Sequence, residues 1–194
     1  MDKVLAELDK ALAELPSGLR LHIYRVRDEA VSMAARFQAD VSQVEQASLA
    51  HDIARAYGEE ELLTAAREWD IPIGPVEQRI PLLLHGPVGM EIARHRLGIR
   101  EEAVLKAIRW HSTGCQGLGL VGQIVFLADK LEPQKVRRRP FLARVHQLAD
   151  GDLHSAILEF LREEMVDRLR KGDLIHPASL EMWNWLRMEM AKEH

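Results

Sequence analysis

Six residues with metal-binding side chains recur along the first two thirds of the chain. They are His22, His51, Asp52, His85, His111 and Asp129. His51 and Asp52 are neighbours inside the otherwise apolar segment 47–54. A buried imidazole or carboxylate needs a partner to offset its lost hydration, and one divalent cation can serve several such groups. The residues alone therefore suggest a metal site, although a single histidine on an apolar helix face is more often a core residue.

The number of potential ligands bears on the chemistry. Six donors would fill one octahedral ion and leave no position for water or substrate, so a catalytic site needs two ions. All six donors are imidazole or carboxylate groups, which suit iron, manganese, cobalt, nickel or zinc. The pattern therefore predicts a dinuclear centre that could hydrolyse a phosphate ester or anhydride.

Helical periodicity runs through almost the whole chain and must position these donors. Apolar residues such as Val4, Leu8 and Leu12 recur every three to four positions, and no segment alternates with a period of two. The pattern predicts an all-α fold in which Ser42 and Glu45 form a capping box and residues 137–139 lie in a basic loop. The expected helices span residues 4–15, 26–37, 42–54, 62–69, 81–85, 87–97, 101–110, 121–129, 141–150, 153–171 and 177–193.

The donors fall on the apolar faces of these helices or at their ends. His51 follows Val44 by seven residues and Asp129 follows Val121 by eight, so each pair shares a helix face. His111 extends the apolar face of the helix before it. We therefore expect the donors to point inward, with His85 at a junction between two helices. The other five histidines match no pattern: His95, His146, His154, His176 and His194.

Composition limits the class of protein. A chain of 194 residues with 47% hydrophobic residues suits a single domain, 1–194, with a sizeable core. The net charge of -4 and the pI near 6.1 argue against a nucleic-acid or membrane partner. Cys115 is the single cysteine, so we expect no disulfide, no thiolate metal site and a cytoplasmic location. The composition does not distinguish a monomer from a homodimer, so a homodimer is one of the expected alternatives.

The donor order and three short segments resemble a known family. The segments read LHGPVG at 84–89, HSTG at 111–114 and ADKLEP at 128–133. Together they resemble the HD superfamily of metal-dependent phosphohydrolases, and within it the YqeK-like symmetrical bis(5'-nucleosyl)-tetraphosphatases. The resemblance covers about residues 15–161. The chain departs from this family at Leu19 and Ile23, beside His22, where the family usually has an arginine and a small hydroxyl residue.

This resemblance implies a fold and an activity. It implies an HD-domain helical bundle with its core at about 17–132 and additional C-terminal helices at 141–194. It also implies that a hydroxide bridging two ions, with iron favoured, cleaves diadenosine tetraphosphate symmetrically to two ADP. We expect Asp52 to bridge the ions and to be essential for catalysis. One ion would take His22, His51 and Asp129, and the other would take His85 and His111.

Cationic and small residues near the donors are the expected substrate contacts. A tetraphosphate is highly anionic, so we expect Arg55, Lys130, Lys135 and Arg137 to bind it, with Lys130 also stabilising charge during catalysis. The alternative for the arginine run is a solvated face. Thr113 and Gly114 could bind a phosphate or close the pocket, or they could form a helix C-cap.

Two other functions compete with this one. The first is a different HD-domain nucleotide phosphohydrolase, such as a 5'-nucleotidase, which would share the metals but not the substrate. The second is a non-catalytic nucleotide-binding module with structural metals, in which residues 137–139 bind phosphate. The six-donor set disfavours the second alternative, because a structural site needs no room for water.

Overall fold

The computed structural model describes residues 3–192. Over this range the chain forms twelve α-helices and no β-strand, which confirms the all-α fold. The helices are α1 (Lys3–Ala13), α2 (Ser17–Arg36), α3 (Val41–Ala50), α4 (Glu59–Glu68), α5 (Pro75–Arg79), α6 (His85–His95), α7 (Glu102–Trp110), α8 (Leu120–Leu131), α9 (Pro133–Arg138), α10 (Leu142–Leu148), α11 (Leu153–Lys171) and α12 (Pro177–Met190). A 3-10 helix, Pro81–Leu84, precedes α6. His194 and the end of the last expected helix lie outside the described residues.

Helix α8 forms the centre of the bundle. Its residues from Val121 to Asp129 are all buried, since the segment is apolar apart from Gln123 and Asp129. Helices α2, α3 and α7 pack against one part of α8, and α10 and α11 pack against another. Helix α12 lies on α11. None of the described helices is both long and apolar enough to cross a bilayer.

The third helix differs from its expected bounds at both ends. It begins one residue earlier, at Val41, and its N-cap is Asp40, whose carboxylate accepts the backbone N–H of Gln43 at 3.0 Å. The expected capping box of Ser42 and Glu45 is therefore wrong, since Ser42 already lies inside the first turn. The helix ends at Ala50, and residues 51–56 continue as turns instead of helix.

The basic loop expected around residues 137–139 is also wrong, because most of it is the short helix α9. Pro133 occupies the first turn, where its missing N–H costs nothing. The Glu132 carboxylate caps the helix by accepting the backbone N–H of Gln134 at 3.0 Å. These two residues end α8 and start α9 within a single turn of chain. After this change of direction, Lys135 and Arg138 of α9 line one cleft together with Arg25 of α2.

Candidate metal centre

All six potential ligands converge in the interior of the bundle. The structure places His22 on α2, His51 and Asp52 directly after α3, His85 at the start of α6, His111 directly after α7, and Asp129 on α8. Five of them are buried, and the side chain of His22 is 15% exposed. Helix ends position most of these groups, so small changes in where a helix stops would misplace a ligand. We refer to the six residues as the His/Asp cluster.

The carboxylate of Asp52 lies between two groups of imidazoles. Its Oδ2 atom is 3.6 Å from Nε2 of His22 and 3.6 Å from Nε2 of His51. Its Oδ1 atom is 3.1 Å from Nε2 of His85 and 3.3 Å from Nε2 of His111. One carboxylate therefore faces both halves of the cluster, each with a different oxygen.

Asp129 completes the first half of the cluster. Its Oδ1 atom is 3.2 Å from Nε2 of His22 and 3.9 Å from Nε2 of His51. One potential ligand atom from each of His22, His51 and Asp129 lies within 4.8 Å of the others, and the same holds for His51, Asp52 and His111. His51 belongs to both sets, so the two potential cation positions are close neighbours.

Three histidines are held in the orientation that a metal ligand needs. Their Nδ1 atoms each face a backbone carbonyl three residues earlier: His51 faces Ser48 at 2.7 Å, His111 faces Ile108 at 2.8 Å, and His85 faces Leu82. With Nδ1–H donating to the carbonyl, Nε2 carries the free lone pair and points into the cluster. The Nε2 atom of His51 is fully buried and has no hydrogen-bond partner. A buried nitrogen of this kind is rare unless it binds an ion or water.

Burial and mutual contacts set the charge states of the cluster. Desolvation lowers the pKa of His51 to about 4 and also lowers the pKa of His111. Burial acts to raise the pKa of Asp52, but the neighbouring imidazoles of His51, His111 and His85 outweigh it and hold the pKa well below its usual value. Near neutral pH His51 and His111 are therefore neutral and Asp52 is ionised, the forms that ligate a divalent cation.

Lys130 lies inside the protein and serves Asp129. Its ammonium donates to Oδ2 of Asp129 at 2.5 Å and to the backbone carbonyl of His111 at 3.0 Å. Lys135 donates to Oδ1 of Asp129 at 2.6 Å. Burial acts to raise the pKa of Asp129, but the two lysines outweigh it and hold the pKa well below its usual value. Lys130 lines no part of the open cleft described next, which argues against its expected contact with substrate.

A cleft of about 520 Å³ opens over the His22 and Asp52 side of the cluster. Four cationic side chains line it, and we call it the cationic cleft: Arg25, Arg55, Lys135 and Arg138. The expected contacts Arg55 and Lys135 are therefore placed beside the cluster. Arg137 and Arg138 of α9 are both exposed, but only Arg138 lines the cleft.

Glu132 is a residue of the site to which the sequence alone assigned no role. It is 2% exposed and accepts the Nε–H of Arg25 at 2.7 Å. Its other oxygen lies 3.7 Å from Nδ1 of His22. Burial acts to raise the pKa of Glu132, but the hydrogen bonds from Arg25 and from the Gln134 backbone outweigh it and lower the pKa. The sequence did contain a signal for this role, since Glu132 belongs to the ADKLEP segment at 128–133.

Thr113 and Gly114 lie in the turn that follows α7, whose C-cap is His111 and not either of these two residues. The backbone N–H of Gly114 donates to the carbonyl of Trp110 at 2.8 Å, and the Thr113 hydroxyl donates to the carbonyl of Gly114 at 3.0 Å. Gly114 has φ of +68°, the left-handed conformation typical of a helix end. The N–H of Gly114 thus has a partner within this turn, and the phosphate contact expected for the two residues stays a prediction.

Comparison with known proteins identifies the family. The HD domain family matches residues 20–134, which include the whole cluster. The symmetrical bis(5'-nucleosyl)-tetraphosphatase of Bacillus subtilis is 31% identical over 166 residues, covering 86% of this chain and 88% of that protein. The protein of the same name from Halalkalibacterium halodurans is 35% identical over 188 residues, covering 93% and 97%.

A solved structure agrees with these relatives. The crystal structure of a "predicted HD superfamily hydrolase involved in NAD metabolism" from Clostridium acetobutylicum superposes with a TM-score of 0.89 at 28% identity. The superposition covers 95% of this chain and 96% of that one. The similarity thus extends over the helices that carry the cluster and over the C-terminal helices. By the family match, the relatives and the shared fold, this chain belongs to the HD domain family.

Proposed function

We propose that this protein is a metal-dependent phosphohydrolase that cleaves diadenosine tetraphosphate symmetrically to two ADP. Family membership supports hydrolysis, and the names of the relatives from B. subtilis and H. halodurans support this substrate class. The single observation that carries the proposal is the position of Asp52. Its two oxygens face two separate pairs of imidazoles at 3.1–3.6 Å, as a carboxylate shared between two cations would.

The donor set supports a two-ion site. The unpartnered Nε2 of His51 and the two ionised carboxylates fit a divalent cation. The first position would take His22, His51, Asp52 and Asp129, and the second would take His85, His111 and Asp52. Iron is favoured by resemblance, while manganese, cobalt, nickel and zinc also suit nitrogen and oxygen donors. When bound, the ions would activate water for attack and stabilise negative charge on the phosphoryl oxygens.

The chain itself would orient the substrate. Arg25, Arg55, Lys135 and Arg138 provide four positive charges along the cationic cleft. Charge-assisted hydrogen bonds from such groups would hold a polyphosphate and stabilise the departing nucleoside diphosphate. The Glu132 carboxylate would keep Arg25 in place, since the two side chains are in contact at 2.7 Å.

Product analysis tests this proposal. The purified protein, loaded with iron or manganese, is incubated with diadenosine tetraphosphate and the nucleotides are separated. ADP as the single product is expected. AMP together with ATP would contradict symmetrical cleavage. In a parallel incubation, hydrolysis of AMP but not of diadenosine tetraphosphate would indicate the 5'-nucleotidase alternative. No product with any metal, despite nucleotide binding, would indicate the non-catalytic module. Chelator-treated protein is the control and should be inactive.

A further inference from the structure

A second cavity, of about 120 Å³, meets the cluster at Ser112. It is enclosed by α8, α11, the start of α12 and the loop at residues 172–176. Leu83, Phe126, Phe160 and Met165 form much of its apolar wall, and Ser112 lines the side that faces the cluster. The cavity and the cleft share no residue in the described part of the chain.

The cavity begins one side chain away from the potential ligands. The hydroxyl of Ser112 lies 3.3 Å from Nε2 of His85 and 3.1 Å from Nε2 of His111. The cationic cleft instead approaches the cluster from His22. Asp52 stands between the two approaches, with Oδ1 towards His85 and Oδ2 towards His22. A ligand that spans the cluster would therefore have one end in the cleft and the other in the cavity.

The size of the cavity limits what it can hold. Sites that enclose a whole drug-sized ligand measure about 300–1,000 Å³. This cavity is closer to the roughly 150 Å³ that accommodates a single aromatic ring. The rings of Phe126 and Phe160 lie edge to face in its wall, with centroids 5.5 Å apart. Leu174, at the rim, is 45% exposed. The cavity suits one flat ring system whose polar substituents remain at the rim.

The polar side chains of the cavity wall are already engaged with protein partners. Ser179 donates its hydroxyl to the carbonyl of Thr113 at 2.8 Å. The Glu164 carboxylate accepts from Arg168 at 3.0 Å, and the Nε2 atom of His176 faces a carboxylate oxygen at 2.9 Å. The contacts offered to a ring are therefore chiefly apolar and aromatic, which favours stacking and shape over base-specific hydrogen bonds.

We propose that this cavity binds the nucleobase of one nucleoside unit of the substrate, while the phosphate chain runs across the cluster into the cationic cleft. The assignment rests on the proposed function and adds the position of one nucleoside. In this arrangement, Ser112 separates the base from the phosphates and the four cations of the cleft hold the far part of the chain. One nucleoside of the symmetrical substrate and the far part of its phosphate chain would thus occupy two chemically different sites.

Equilibrium binding tests the assignment without relying on turnover. The Kd values of ADP and of ribose 5-diphosphate, which lacks the base, are measured by calorimetry on the full-length, metal-loaded protein. Stacking of a base on aromatic side chains contributes about 1–3 kcal/mol. ADP should therefore bind about 5- to 150-fold more tightly than ribose 5-diphosphate.

A variant that fills the cavity should remove this difference. Met165→Trp places a large side chain in the cavity, so the Kd of ADP should rise to near that of ribose 5-diphosphate, whose own Kd should change by less than about 2-fold. Leu169→Trp is the matched control. It lies one turn further along α11, is 68% exposed and does not line the cavity, so both Kd values should stay at the wild-type level.

Other outcomes would overturn the assignment. Equal Kd values for the two ligands in the wild-type protein would show that the base makes no contact, while the phosphate site would stand. An unchanged Kd of ADP in Met165→Trp would also show that the base does not occupy the cavity. If neither ligand bound the metal-loaded protein, the proposed function would fail as well. If Met165→Trp does not fold, Ile175→Trp fills the same cavity from the loop at residues 172–176 and is judged by the same criteria.

Discussion

At the scale of single residues, the chemistry depends on Asp52 more than on any one histidine. It is the group whose two oxygens face both halves of the cluster. A carboxamide has the same shape but no charge, so it is a weaker ligand and could not balance two cations. The identity of this side chain, and not only its size, should therefore decide whether the cluster works.

Asp52→Asn should lower kcat by on the order of 100-fold or more, since changes even beyond the ligands commonly cost 10- to 100-fold. Metal content should fall at both positions. Steady-state kinetics and elemental analysis of the same preparations measure the two effects. Asp28→Asn is the matched control, because the Asp28 side chain is 69% exposed and lies outside the cluster. More than about a tenth of wild-type activity in Asp52→Asn would rule out the bridging role.

Lys130 and Lys135 both contact Asp129, but their positions predict different kinetic effects. Lys135 lines the cationic cleft, so Lys135→Ala should raise the KM for the tetraphosphate by about 10-fold with a smaller change in kcat. Lys130 positions Asp129 and the His111 carbonyl from inside. Lys130→Ala should lower kcat by about 10- to 100-fold and change KM by less than about 3-fold.

A control and a contrary result complete this comparison. Lys106→Ala removes an exposed lysine of α7 and should leave both constants unchanged. If Lys130→Ala raised KM and left kcat intact, Lys130 would contact substrate after all, as its place in the sequence beside Asp129 suggested.

At the scale of helices, the ends of the elements matter most. His51, His85 and His111 each lie at or next to a helix boundary, where the backbone can turn the imidazole inward while Nδ1 bonds the preceding turn. The C-terminal end of α7 is further fixed by contact with α12. A Cβ added at Gly114 would overlap Sδ of Met182, which is fully buried.

Gly114→Ala should therefore destabilise the protein by about 2–4 kcal/mol, from left-handed backbone strain plus overpacking against Met182. Gly172→Ala is a matched control. Gly172 has φ of +72°, close to the +68° of Gly114, but a Cβ there would meet no atom within 4 Å. It should cost only about 1–2 kcal/mol. Urea unfolding of both variants measures the difference, and equal losses would show that α12 does not restrict the end of α7.

At the scale of the whole molecule, burying the cluster makes stability depend on pH. The pKa of His51 is about 4 in the folded protein and 6.5 in its usual range, with desolvation as the main cause, and the pKa of His111 is lowered too. Above pH 6.5 both states hold a neutral imidazole, so stability is unaffected. Between pH 6.5 and about 4, the unfolded chain takes up a proton that the folded chain refuses, so stability falls as pH falls.

The metal-free protein should thus lose free energy of unfolding steadily from pH 6.5 towards pH 4, as urea titrations at several pH values would show. Asp52 and Asp129 add their own loss only at lower pH, since their folded pKa values lie well below the usual 3.8. His51→Gln should reduce the slope. His146→Gln is the control and should leave the slope unchanged, because the His146 side chain is 42% exposed and lies outside the cluster. A flat profile in the wild-type protein would contradict the buried, neutral state of His51.

The all-α class and the set of potential metal ligands could both be predicted from the sequence. Helical periodicity is a local property, and the apolar residues around each donor showed which way it would face. The segments at 84–89, 111–114 and 128–133 added the family resemblance, which the comparisons confirmed. These features depend on neighbours a few residues away, so they can be read along the chain.

The charged groups that surround the cluster depend on how distant segments of the chain pack together. Arg25 and Glu132 are 107 residues apart in the chain and 2.7 Å apart in the fold, a pairing that no local pattern encodes. Arg138 lines the cleft where Arg137 was expected, because residues 133–138 form a helix. A shift of one residue along a helix turns a side chain by about 100°. The cavity beside Ser112 likewise arises from packing among α8, α11 and α12. Such contacts follow from how the helices pack, which is set by the sum of many weak interactions between distant segments.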